Sequence, residues 1–448
     1  MERIALQDLI AWKISSNRKP LILKGVRQSG KTWLLEHFGE AHFRDVAYFN
    51  FDEQPDLKQF FELDKDPARI LRNLSIVHGA PIEAGKTLLI LDEIQECNAA
   101  LNSLKYFCES APEYHIACAG SLLGVALSKP AGFPVGKVDF LSVHPLCFTE
   151  FLRGIGEAEL ASYLESIDTI EPLPDLFFNR LAEHLKHYFI TGGMPEVVER
   201  WRATGDVTAV QKTLSNLLDA YERDFAKHAE RSAFPKLSLI WHSIPSQLAR
   251  DNKKFLYRAV KEGARAREYE DAVQWLCGAG LTYLVSRVEK PGLPLSAYDD
   301  VSSFKLYACD VGLLRRLSGL APSAFAEGAR LFTEFKGSLS ENYILESLDR
   351  QLDVLPRYWT DGKGRAEVDF VIQIENEIIP IDVKAGSNVE SRSLASWAQR
   401  FPGHGGLRVR YSLRNLKLDG DMLNIPLFMA DRSIALISKV MDGGPSTR

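Results

Sequence analysis

Pro20-Leu-Ile-Leu-Lys24-Gly25-Val-Arg-Gln-Ser-Gly30-Lys31-Thr32-Trp-Leu-Leu-Glu-His-Phe38 runs from an apolar segment into a helical one through the pattern GxxxxGK[ST]. That strand–loop–helix context is what a phosphate-binding loop requires. Glycines let successive backbone N–H groups turn toward an anion, and the start of the following helix adds the positive end of its dipole. Gly25, Gln28, Ser29 and Gly30 are therefore expected to cradle the phosphates of ATP, with Lys31 at the β/γ-phosphates and Thr32 on Mg2+.

A second segment supports the first. Thr87-Leu-Leu-Ile-Leu-Asp92-Glu93 is an apolar strand that ends in two acids, for which packing alone gives no reason. Asp92 is expected to hold the magnesium ion and Glu93 to orient or deprotonate the attacking water. The next apolar run, His115-Ile-Ala-Cys-Ala-Gly120-Ser121, puts Ser121 at a strand tip where it can contact the γ-phosphate.

Outward from this centre, the first 150 residues alternate apolar runs (20–24, 46–51, 87–91, 115–119, 138–143) with amphipathic stretches, the pattern of a parallel sheet covered by helices. Residues 151–230 read as a helical lid, broken by the turn Thr191-Gly-Gly-Met-Pro195. Three helices and a hairpin within 231–317 follow the winged-helix order, and 318–448 reads as a further α/β domain. The fold class expected is α/β: an ASCE-type P-loop ATPase core (1–150), the lid (151–230), a winged-helix middle domain (231–317) and a nuclease-like C-terminal domain (318–448).

The last assignment rests on Glu367-Val-Asp369 and Asp382-Val-Lys384, on strands at 366–373 and 377–384. Side chains alternate along a strand, so each pair shares a face. Asp369 followed by Asp382-x-Lys384 matches the PD-(D/E)xK pattern of restriction-endonuclease-like nucleases, in which carboxylates hold a divalent metal and the lysine steadies charge. Glu341, on the preceding helix, matches the acid often supplied from the first helix of that fold. Asp369, Asp382 and Lys384 are the expected catalytic group, and Glu341, Asp369 and Asp382 the expected metal ligands. An exposed strand face carrying an ion pair is the competing reading.

The order of Gly25–Thr32, Asp92-Glu93 and Ser121 resembles the AAA-type and STAND-type ATPases. The resemblance implies a polar sensor at Ser121 and a Gly-x-Pro turn near the nucleotide at Gly193 and Pro195. Phe133-Pro-Val-Gly-Lys137, Pro145-Leu-Cys-Phe-Thr-Glu-Phe151 and Lys253-Lys-Phe255 through Gly263-Ala-Arg265 narrow it. Together they resemble a large, mainly uncharacterised prokaryotic group of ATPases with a restriction-endonuclease-like C-terminal domain. Members often carry arginine where Lys137 stands. Lysine lacks the planar guanidinium fork, so Arg153 and Arg223 remain alternatives for an arginine finger.

Bulk composition limits the functions. A net charge of -5 over 448 residues and a pI near 6.1 give no basic domain, so nucleic-acid binding has to rest on a local patch. Arg250, Lys253, Lys254, Arg258, Lys261, Arg265 and Arg267 form one, interleaved with acids. Six scattered cysteines show no metal spacing, and no long apolar run suits a membrane, so a cytoplasmic protein is expected. Three functions compete: an ATPase-nuclease acting on DNA, a nucleotide switch that signals by rearranging its domains, and an ATP-binding scaffold without turnover, against which Glu93 argues; DNA, a protein partner or a second copy of the chain are the candidate partners.

Overall fold

The computed structural model describes residues 1–120, 133–230, 232–250, 252–321, 336–361, 366–385, 392–404 and 406–442. The chain divides into two compact units: Met1–Pro145 with Gly278–Leu281, and Leu146–Cys277 with Thr282–Arg448.

The first unit is built on five parallel strands, β1 (Leu21–Lys24), β2 (Asp45–Asn50), β3 (Thr87–Asp92), β4 (His115–Ala119) and β5 (Asp139–Ser142), in the order β2-β3-β4-β1-β5. All five agree with the expected runs to within a residue or two. Strand β3 is buried along its whole length because helices cover both faces. Its alternation splits two cores: Leu89 and Leu91 pack with Phe49, Leu104 and Phe107, whereas Leu88 and Ile90 pack with Leu9, Trp12, Leu34 and Phe38. Strand β4 lies between β1 and β3 in the sheet. The phosphate-binding loop and the Asp92 strand end therefore flank the tip of β4.

The second unit carries an eight-stranded sheet in the order β12-β13-β11-β10-β9-β8-β6-β7. The hairpin expected as a wing, β6 (Thr282–Val288) and β7 (Asp299–Ala308), forms one edge of it, joined in parallel to β8 (Arg357–Thr360) at Arg287↔Tyr358. The expected hairpin β9 (Glu367–Ile374) and β10 (Glu377–Val383) lies near the centre, with Ile381 opposite Phe370. Strands β11 (Arg408–Ser412), β12 (Lys417–Asp419) and β13 (Met422–Pro426) extend it on the other side. They were not anticipated.

The helices of 146–228 are built into this second unit. Thr149 N donates to Asp431 Oδ2 at 3.0 Å, Leu173 N to Asn415 Oδ1 at 2.8 Å, and Arg315 Nε to the Ile190 carbonyl at 3.1 Å. The second of the three helices expected within 231–317 is the single turn Tyr257–Val260.

Candidate functional sites

In the first unit, Gly25 (φ 147) and Gly30 (φ 88) adopt backbone that side chains disfavour. A Cβ on Gly25 would stand 2.1 Å from the Val143 carbonyl oxygen, so only glycine fits against the β5 end. Gln28 is also left-handed (φ 64), which turns the chain between the two glycines. Helix Lys31–His42 starts at Gly30 with no side-chain cap, leaving its first amides for a ligand. Arg3 braces the loop from outside, donating from Nη1 to the Ser29 carbonyl at 2.8 Å and from Nη2 to the His144 carbonyl at 2.6 Å. Gly280 approaches the same loop, where an added Cβ would meet the Val26 nitrogen at 3.3 Å.

Lys31 Nζ donates to the Gly25 and Val26 carbonyls, each at 2.9 Å. Burial lowers its ammonium to about 8, against the pull of Glu93 and Asp92. Thr32 Oγ1 donates to Asp92 Oδ2 at 2.8 Å, and Tyr48 OH donates to the same oxygen at 2.9 Å. Asp92 Oδ1 accepts from the Glu93 N–H at 2.9 Å. Glu93 itself is left-handed (φ 48), an uncommon conformation for a non-glycine residue that persists where surrounding structure enforces it. Gln95 Nε2 donates to Glu93 Oε2. The set fits ATP and magnesium: ligand-ready amides, a buried cation, a hydroxyl touching a carboxylate, and the Ser29 hydroxyl buried with no partner among the described residues.

In the second unit, Glu341 lies on helix Lys336–Asp349, which is almost wholly buried. Ile381 pairs with Phe370, and the same antiparallel register carried one residue further sets Asp382 opposite Asp369 on one face; the Val383 N–H donates to Asp369 Oδ2 at 2.8 Å. Lys384 Nζ donates to Asp382 Oδ1 at 2.9 Å. Two lysines join them. Lys253 donates to Glu341 Oε1, whose Oε2 accepts from Tyr307 OH at 3.1 Å. Lys305, at 0% exposure, donates to Glu367 Oε1 at 2.5 Å.

Electrostatics couples the whole group. Burial pushes the Asp369 carboxyl well above its ordinary range, and Glu341 and Asp382 push it the same way. Burial acts likewise on Glu341, but Lys253 and Lys305 outweigh it and hold that carboxyl low. Burial opposes the charge of Lys253, Lys305 and Lys384, and the surrounding carboxylates raise all three.

Glu341, Asp369 and Asp382, the expected metal ligands, share one charged cluster. Among the described residues no three His, Cys, Asp or Glu side chains are placed to hold an ion. Glu341 is instead engaged by Lys253 and Tyr307, whose donors take both its oxygens.

Comparison with protein families matches residues 17–152 to the family described as AAA domain. Over that segment the chain is similar to AAA-type domains. Beyond it, residues 182–324 and 336–428 match two families described as domains of unknown function, DUF8612 and DUF4143. A search of the curated proteins returned no match. Among solved structures, the Walker-type ATPase PABY2304 of Pyrococcus abyssi is 14% identical, over 70% of this chain and 95% of that one, with a TM-score of 0.44. The Thermotoga maritima RuvB Holliday junction branch migration motor is 16% identical over 63% and 89%, with a TM-score of 0.30. The Aeropyrum pernix ORC1 protein in complex with DNA is 12% identical over 71% and 91%, with a TM-score of 0.27.

Of the residues expected at the AAA-domain site, Gly25 through Thr32, Asp92 and Glu93 come together as described, and Ser121 lies outside the described residues. Gly193 donates its N–H to the buried Asp310 at 2.6 Å, and its carbonyl accepts from Leu146 N–H at 2.6 Å. A Cβ there would strike the Leu146 oxygen at 2.0 Å. The Gly193 amide is thus committed to packing inside the second unit, and Pro195 starts helix Pro195–Thr204 with no N–H to give. Lys137 forms an exposed ion pair with Glu109 at 2.8 Å, and Arg153 pairs with Glu165 at 2.5 Å. The basic stretch loses two members inward: Lys253 to Glu341, and Lys254 to Ser303 Oγ at 2.8 Å. Among the described residues no helix is long and apolar enough to cross a membrane.

Proposed function

We propose that the chain binds and hydrolyses ATP with Mg2+, and that turnover serves a role in acting on or responding to DNA. The observation that supports hydrolysis best is the 2.8 Å contact of Thr32 Oγ1 with Asp92 Oδ2, which brings the helix start and the acidic strand end to one point. The amides of Gly25–Thr32 and the Lys31 ammonium hold the phosphates. Thr32 and Asp92 hold the magnesium ion, which when bound neutralises charge on the transferred phosphoryl group. Glu93, one residue beyond Asp92, orients a water and takes its proton at the carboxylate. Phosphate release measured with and without single- and double-stranded DNA tests the reading. Stimulation by DNA supports a DNA role, and absence of any turnover removes the proposal.

A nucleotide-dependent switch with a non-cleaving nuclease fold is the second reading. The pairing of Lys253 and Lys305 with the acids of β9 and of helix Lys336–Asp349 favours it. Turnover indifferent to DNA but dependent on protein concentration, with no cleavage of DNA or RNA under Mg2+ or Mn2+, is its signature.

A further inference from the structure

Four carboxylates of the second unit face three ammoniums: Glu341, Glu367, Asp369 and Asp382 against Lys253, Lys305 and Lys384. The sequence pattern supplies only Lys384 as a cation. Lys305 comes from β7 and Lys253 from the segment just before Phe255, both outside the nuclease-like motif. Lys253 reaches Glu341 from a left-handed backbone (φ 48), a conformation that neighbouring structure must hold. Phe255 anchors the segment, stacking on Phe304 at 5.2 Å and donating its N–H to the Phe304 carbonyl at 2.8 Å.

We propose that Lys253 is a built-in cation that stands beside the carboxylates of Glu341 and Asp369, in the cluster they share with Asp382, in place of a divalent metal ion. With every group ionised the seven carry one net negative charge, and without Lys253 two. Lys253 thus takes one unit from the cluster's attraction for a divalent ion, whether or not Asp369, which burial favours in its neutral form, is charged. One carboxylate oxygen is still unspent: Asp382 Oδ2 is buried with no hydrogen-bond partner among the described residues, and the residue is 1% exposed. Buried acceptors without partners are uncommon, and this one belongs to a carboxylate that acts on Asp369. The proposal uses no residue of the nucleotide site and stands or falls apart from the ATPase reading.

The test is Mn2+ titration of the full chain without nucleotide, followed by the electron paramagnetic resonance signal of free Mn2+. Parent protein and Asp369→Asn are expected to take up equal amounts, because Lys253 already serves the cluster as its cation. Lys253→Met is expected to gain one Mn2+ per chain, and the gain should vanish in the double variant with Asp369→Asn. Uptake by the parent that Asp369→Asn abolishes overturns the proposal, as does a folded Lys253→Met with no gain. If Lys253→Met folds poorly, millimolar Mn2+ should raise its melting temperature and leave the parent's unchanged. A loss of stability that Mn2+ fails to restore also overturns the proposal.

Discussion

Lys31 and Lys253 are both largely buried cations near acids, yet they are deployed in opposite ways. Lys31 donates to two backbone carbonyls, with Asp92 and Glu93 close enough to raise its charge but bonded elsewhere. Lys253 donates directly to a carboxylate, as do Lys305 and Lys384. A carbonyl is a weak holder of an ammonium, so Lys31 can be recruited by a phosphate. A buried carboxylate is a strong one, so the C-terminal lysines are spent on the protein itself. The nucleotide site is arranged for a ligand, and the C-terminal cluster is arranged to neutralise itself.

Substitutions can break that contrast. Lys305→Met, which leaves Glu367 without its partner and strips a positive charge from beside Glu341, should lower stability by roughly 3–5 kcal/mol, the usual cost of breaking a buried pair from one side. Urea unfolding measures it, and a loss below about 1 kcal/mol would mean the cluster is solvated. Lys31→Ala should leave the unfolding midpoint close to the parent's while weakening nucleotide binding by roughly 10- to 100-fold, the size of charge-assisted hydrogen bonds to phosphate. Titration with a fluorescent ATP analogue checks it, and unchanged affinity would sink the assignment of the loop.

A milder perturbation sharpens the comparison. The Lys31 ammonium sits at about 8 in the unliganded protein, and a bound phosphate favours the charged form. Its pKa therefore rises on binding, so binding takes up protons at and above pH 8. Nucleotide affinity should be level below about pH 7 and fall as pH rises through 8 toward 9.5. The same titration repeated across that range decides it, and an affinity that climbs with pH contradicts the account.

Much of the nucleotide site was legible because its chemistry is local in the chain: Gly25–Thr32 is one loop, and Asp92-Glu93 ends one apolar strand. The β9–β10 pairing was legible for the same reason, since a period of two and a tight turn fix which residues share a face. The partners of the acids were not. Lys253 and Lys305 sit 88 and 62 residues from the carboxylates they meet, and Lys253 read as one more member of the basic patch 250–267. Strands β11–β13 were missed although Val409 and Tyr411 alternate inward, because Arg408 and Arg410 between them dilute the apolar signal. The partner of the Gly193 amide, Asp310, lies 117 residues along the chain, beyond the reach of any local pattern.

The most direct test of the central claim is ATP turnover by Glu93→Gln beside the parent, with nucleotide affinity measured on the same samples. The account predicts steady hydrolysis by the parent. It predicts unchanged binding and a fall in turnover of roughly a hundredfold or more in the variant, because Asp92 and Thr32 remain while the proton acceptor is lost. Turnover by Glu93→Gln at the parent's rate would contradict it.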